Sequence, residues 1–167
     1  MPDKVTITYP ILFPLLYHER IIGTFVVNGD GTRYIVYDAD AKPSMKLRPI
    51  ERKMLMLLPI GQPEHPYTTQ KLIKQIGKET FSNGSRLDPE RQIRSAQSRL
   101  SLKRGIFIGS GRRLDGSQGI YIAVTPQEAL SAIEAYGKQA RTMIERYEKM
   151  KKRINSGSAI RGGKINE

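Results

Sequence analysis

The stretch Asp88-Pro89-Glu90-Arg91-Gln92-Ile93-Arg94-Ser95-Ala96-Gln97-Ser98-Arg99-Leu100 decides how the rest of the chain is read. It opens with three residues that start a helix. Asp88 can accept from a free backbone N–H, Pro89 has its φ already set for the first turn, and Glu90 meets the positive end of the helix dipole. Beyond them Ile93, Ala96 and Leu100 recur at three- and four-residue spacing on one face, while Arg91, Arg94, Ser95 and Ser98 occupy the other. The spacing predicts an amphipathic helix that buries an apolar side, presents a basic and hydroxyl-bearing side outward, and frays near Lys103-Arg104-Gly105.

Working towards the N-terminus, Leu47-Arg48-Pro49-Ile50-Glu51 leads into Met54, Leu57 and Leu58, whose spacing from Ile50 is that of a helix that Pro49 starts and Pro59 stops. A Gly/Pro-rich loop follows through Pro66. Thr68 or Thr69 can then cap a second, short helix with Leu72, Ile73 and Ile76 inward, closed by Gly77. A polar stretch, residues 78–87, joins it to the third. Residues 1–44 alternate β-rich runs, at 5–9, 21–27 and 33–37, with punctuation at Pro10 and Pro14. Asn28-Gly29-Asp30-Gly31 is a hairpin signal because Asn and Gly tolerate positive φ.

Towards the C-terminus, Ile106-Phe107-Ile108 and residues 119–124 read as two strands joined by a basic, glycine-rich loop, 109–118, that carries Arg112 and Arg113. Thr125-Pro126-Gln127-Glu128 combines a capping box with proline at the first helical position. That helix should run to about Ile154. The expected fold class is therefore α+β: an N-terminal β-rich segment (1–44), three helices with a β-hairpin (45–124), a long C-terminal helix (125–154) and a basic, Gly/Ser/Lys-rich tail (155–167) expected to be disordered.

The formal net charge is +12 and the pI near 10. Such a surface attracts phosphate polyanions and gains free energy by releasing their counterions, so nucleic acid is the leading partner; solubility and anionic lipid are the alternatives that charge alone leaves open. The chain has no cysteine, which removes disulfides, thiolate catalysis and cysteine-based zinc sites. No apolar run has the length of a membrane span. The start, Met1-Pro2-Asp3-Lys4, lacks the layout of a signal peptide, so the expected compartment is the cytoplasm of a bacterial or phage-infected cell. His18 and His65 are the only histidines, and neither has ligand spacing or a catalytic partner in the sequence. Gly109-Ser110-Gly111 lacks the third glycine and following helix of a nucleotide loop, and residues 28–32 lack the later acidic ligands of a calcium loop. No enzyme activity, cofactor or metal is expected.

Sheet, three helices and hairpin, in that order, resemble the winged helix-turn-helix output domains of OmpR-type response regulators. The residues that carry the likeness are 47–51 with Leu55, Leu57 and Leu58, then 69–76, 93–100 and Gly119-Ile120-Tyr121-Ile122. Residues 1–44 are too short for a receiver domain. The ending 119–153 is similar, more loosely, to that of phage-encoded winged-helix proteins. The resemblance implies duplex DNA as the partner, with the third helix in the major groove and the hairpin as the wing. A major groove admits one α-helix, and arginine can bond guanine bidentately there, which makes Arg91, Arg94, Ser95 and Ser98 the candidates to read bases. Arg99, nearer the flank, is expected on phosphate, as are Thr69, Gln70, Lys71 and Lys74 near the N-terminus of the second helix. Arg112 and Arg113 are expected to reach a minor groove or the backbone. A solvated charged face is the alternative reading of the same residues.

On the last helix Tyr136, Ala140, Met143, Tyr147, Met150 and Ile154 alternate steps of four and three, the seam of a coiled coil. That pattern suits either a homodimer or packing against the chain's own domain. A transcriptional regulator is the expected role. A replication or partition accessory factor, or an RNA- or protein-binding adaptor, would use the same residues.

Overall fold

In the computed structural model, which describes residues 7–63, 65–81, 88–112 and 118–156, the N-terminal sheet consists of β1 (Ile11–Tyr17), β2 (Arg20–Val27) and β3 (Arg33–Tyr37). They run antiparallel in that spatial order. Pairing places Phe13, Phe25 and Ile35 in one row across the sheet, with the Phe13 and Phe25 rings stacked 5.5 Å apart. Phe25 and Leu15 are fully buried, so this row and its neighbours form the sheet's contribution to the core. The expected turn at Asn28-Gly29-Asp30-Gly31 joins β2 to β3, with Gly31 at φ 89°. Asp30 accepts from both the hydroxyl and the backbone N–H of Thr32, and these two bonds hold its carboxyl below the ordinary range.

The first strand is not where periodicity put it. Residues 5 and 6 of the expected early run lie outside the described residues and 7–9 form no strand, whereas Ile11–Tyr17 pairs along its whole length. Pro14 lies within it, opposite Thr24. A strand at the edge of a sheet tolerates a missing N–H, and Pro14 is exposed there. The connection to β2 is His18-Glu19, with φ of 50° and 64°. A two-residue hairpin of type I′ requires positive φ at both central positions, and side chains other than Gly, Asn or Asp accept it only under tertiary constraint.

Helix α1 (Pro49–Leu57) follows, then α2 (Thr69–Ile76) and α3 (Pro89–Lys103). Thr68 caps α2, its hydroxyl accepting the Lys71 N–H at 3.2 Å, and Asp88 caps α3 by accepting the Arg91 N–H at 2.8 Å. Met54, Leu55, Leu58, Leu72, Ile76, Ile93, Ala96 and Leu100 meet the sheet in one apolar core. The second sheet pairs β4 (Ile108–Arg112) with β5 (Gln118–Ile122), and the segment after α1 runs parallel beside β5 through an Ile60–Ile122 bridge. The sequence placed Gly109-Ser110-Gly111 in a loop, yet they belong to β4. Gly109 faces Tyr121, and a Cβ there would stand 2.5 Å from the ring Cζ. Glycine at this site makes room for the cross-strand tyrosine, and the strand continues.

Long cationic side chains finish what the local sequence leaves incomplete. The Leu55 carbonyl would accept the N–H of residue 59, but Pro59 has none. Arg33, reaching from β3, donates to Leu55 O at 2.7 Å and to Leu58 O at 2.6 Å instead. Burial pulls the Arg33 guanidinium down from its ordinary pKa, with Tyr67 acting in the other direction, and a guanidinium still stays charged. Lys53 does the same for α2, donating to Ile76 O at 3.0 Å and to the Thr80 hydroxyl at 2.6 Å.

The last helix, α4, is Pro126–Asn155. Thr125 Oγ1 accepts the Glu128 N–H at 3.1 Å, and the Glu128 carboxylate accepts the N–H groups of Val124 and Gln62 at 3.0 and 2.8 Å. The chain divides into two compact units, Met1–Ala132 and Ile133–Glu167, and α4 contributes to both. The expected disordered tail begins at 155; Asn155 is still helical and residues 157–167 lie outside the described residues. No helix among the described residues is long and apolar enough to cross a membrane. Arg33→Met should lower unfolding free energy in urea by about 1–3 kcal/mol, because it leaves two carbonyls at the end of α1 without a donor.

Candidate nucleic-acid interface

The inner face of α3 is held from three directions. Ile93, Ala96 and Leu100 enter the core, the Ser101 hydroxyl accepts the Ile108 N–H at 3.2 Å, and Gln97 donates to Ile108 O at 3.4 Å. The last two contacts tie the start of β4 to α3. α2 packs against α3 on another side. The outer face is left to Arg91, Arg94, Leu102 and Lys103, all exposed, with Ser95 and Ser98 half-buried at its margins.

Of the candidates for base reading, Arg91 projects from the first turn and Arg94 pairs with Glu90 one turn earlier at 3.6 Å, both side chains well exposed. A solvent-screened pair of this kind is worth at most a few tenths of a kcal/mol, so it leaves Arg94 available to a phosphate or a base. The Ser95 hydroxyl accepts from Arg99 at 2.9 Å and is thereby tied into the protein.

Arg99, expected on phosphate, is paired within the protein. Its Nε lies 3.6 Å from Oε1 of Glu51, whose side chain is 1% exposed, and Arg99 itself is 22% exposed. A carboxylate so far from water needs a cation beside it, and on the facing helix Arg99 is the one that turns inward. Sequence reading placed Glu51 on α1 without assigning its burial, because helical spacing from Ile50 and Met54 does not separate a flank from the core. Arg104 also turns inward: 7% exposed, it donates to Met45 O, Lys46 O and Leu16 O at 2.6, 3.2 and 3.3 Å and lies over the Tyr17 ring at 5.3 Å.

On α2, Gln70, Lys71 and Lys74 are exposed and Thr69 is half-buried; Lys71 Nζ lies 5.1 Å over the Tyr67 ring, and Tyr67 donates its hydroxyl to Gln75. Burial raises the Tyr67 pKa, opposed by the nearby Arg33. Arg112 ends β4, and Arg113 lies outside the described residues. The residue that sequence reading missed on α3 is Leu102, 80% exposed. It follows Arg94 and Ser98 at four-residue steps and so shares their face; that spacing was the signal available. Among the described residues no group of three or more acidic or histidine side chains is placed to hold a metal ion. In comparisons with known proteins, the chain matches no family model, no curated protein and no solved structure.

Arg99→Ala should destabilise the fold by about 3 kcal/mol, since it strands a buried carboxylate, whereas Arg94→Ala should stay within about 0.5 kcal/mol. Urea denaturation of the two variants separates the inward arginine from the outward one.

Proposed function

We propose that this chain binds duplex DNA through the outer face of α3, as a winged helix-turn-helix protein with β4 and β5 as its wing, and that it serves as a transcriptional regulator. The observation that carries the reading is the division of α3. Its inner face is fixed by core packing, an aspartate cap and the Glu51–Arg99 pair, and its outer face offers Arg91 and Arg94, which have no hydrogen bond or ion pair from their side chains to another element among the described residues. Rigid presentation of arginines on one helix is what a major groove requires. The order α1, bridge at Ile60, α2, α3, β4, β5 supports the same reading, because the third β segment beside β5 braces the hairpin against the helices. The net charge of +12 supplies the long-range attraction.

On that face Arg91 and Arg94 are the base readers, with Ser98 beside them and Leu102 placed for apolar contact with a thymine methyl. Gln70, Lys71 and Lys74 of α2, with Arg112 and Arg113 of the wing, serve the phosphate backbone. Arg94→Ala should cost about 1–3 kcal/mol on the preferred site, found by selection from random duplexes, and relax preference at one base position. Equal losses on preferred and random duplexes would reduce Arg94 to a phosphate contact. Salt-sensitive binding to structured RNA, without binding to duplex DNA, would replace this reading by an RNA-binding one.

Within the unit Ile133–Glu167, the seam expected from the sequence is exposed at Tyr136, Met143, Tyr147, Met150 and Ile154, and Ala140 is exposed between them. Ile133, also exposed, precedes Tyr136 by three residues and extends the alternation by a further position. From Ile133 to Ile154 the pattern spans about three heptads, the length at which a two-stranded seam becomes a meaningful pattern. The proposed function therefore includes a homodimer through α4, which would set two copies of α3 on a two-part DNA site. Met143→Glu/Tyr147→Glu should give a folded monomer in sedimentation velocity, with weaker binding to full sites than the parent. A parent that is monomeric at micromolar concentration and binds one chain per site would refute the dimer.

A further inference from the structure

The exposed seam of α4 is uneven along its length in both size and charge. Its three- and four-residue steps put Ile133, Ala140 and Tyr147 in one row and Tyr136, Met143 and Met150 in the other. Ala140, near the middle, is the small residue among large ones. Between residues 133 and 145 two carboxylates, Glu134 and Glu145, offset two cations, Lys138 and Arg141, and Arg141 pairs with Glu134 at 3.5 Å. Between residues 146 and 153 the balance is lost: Arg146, Lys149, Lys151, Lys152 and Arg153 stand against Glu148 alone. All of these side chains are exposed, so one end of the helix is strongly positive and the other is close to neutral.

We infer that α4 pairs with α4 of a second copy in antiparallel orientation, in the register that sets Ala140 of each copy opposite Met143 of the other. The inference rests on the homodimer proposed above and fixes its geometry. Parallel helices would face each residue with its own counterpart. Ala140 would then meet Ala140 and leave a gap between layers of Tyr136 and Met143, and Arg146 of one copy would flank Lys151 of the other on both sides of the seam. Like charges at those flanking positions oppose pairing, and the two positive ends would lie together. In the antiparallel register the small residue meets a large one, which fills the layer. Tyr136 meets Tyr147, Ile133 meets Met150, and each positive end lies beside the near-neutral end of the other copy. The points at which the two chains enter the seam, at Ile133, then stand about 26 Å apart along the helix axis, from 1.5 Å per residue. Parallel helices would bring them to about 10 Å. The DNA-binding units are thus attached at opposite ends of the pair, which suits a two-part site with separated halves.

The chain has no cysteine, so two single variants of the full chain, Ile133→Cys with an affinity tag and Met150→Cys without one, test the arrangement. Both positions are exposed, and circular dichroism checks that helix content is kept. The variants are mixed, allowed to exchange, and treated with a bismaleimide too short to span about 26 Å, while sedimentation velocity follows the parent at the same concentration. Cross-linked product that joins the two variants is expected from the mixture, with loss of cross-linking when either variant is treated alone. Each variant cross-linked to itself, with no joined product, means parallel helices and overturns the inference while the homodimer stands. A dimer in sedimentation that gives no cross-link of either kind also overturns it, because the seam is then not the interface. A monomeric parent overturns it together with the homodimer on which it rests.

Discussion

Glu51 on α1 is 1% exposed and its ion-pair partner is Arg99 on α3. In an otherwise apolar interior, a carboxylate with no cation in reach would be forced out of its site or out of its charge state. The pair therefore acts on geometry more than on stability, because desolvation of two charges offsets most of their attraction. It specifies which side of α3 faces α1. Once Arg99 points inward, the 3.6-residue period turns Arg91, Arg94 and Leu102 outward together, and the outer face of α3 is defined by what its flank must satisfy.

The same economy of charge runs through the first unit. Arg33 closes the end of α1 where Pro59 has no N–H to give, Lys53 closes the end of α2, and Arg104 holds Leu16, Met45 and Lys46 around the end of α3. Together with Arg99 these are structural cations. A net charge of +12 therefore overstates how much positive charge is free at the surface for a polyanion. The exposed remainder on α2 and α3 is still of one sign apart from Glu90, which suits a phosphate-rich partner.

Strands and helices here are joined by turns of unequal legibility. Asn28-Gly29-Asp30-Gly31 announces itself by residue type. His18-Glu19 adopts the same positive-φ solution without the residues that advertise it, held by the pairing of Tyr17 with Arg20 and by the burial of Leu15. For that reason a sequence reading gives the second and third strands and misses the first. Gly109 and Gly111 mislead in the opposite sense: glycine marks a loop by propensity, and at Gly109 it is instead the absence of a side chain that lets Tyr121 cross the strand.

By itself the sequence determined the features whose energetics are local. These are the caps at Asp88 and Thr125 and one at Thr68 or Thr69, the proline starts, the hairpin between β2 and β3, the length of α4 and the order of helices and strands, since each depends on backbone groups within a few residues. It also determined that Arg91 and Arg94 share a face. Only the tertiary structure decided which charged residues are available. Arg99 and Ser95 were legible as members of a polar face, but the engagement of Arg99 by Glu51 depends on a residue 48 positions away in sequence, and Arg33 and Arg104 meet carbonyls 22 to 88 positions away. Local pattern fixes periodicity, and burial depends on what packs opposite; a lone carboxylate in α1 shows its need for a cation only once α3 lies against it.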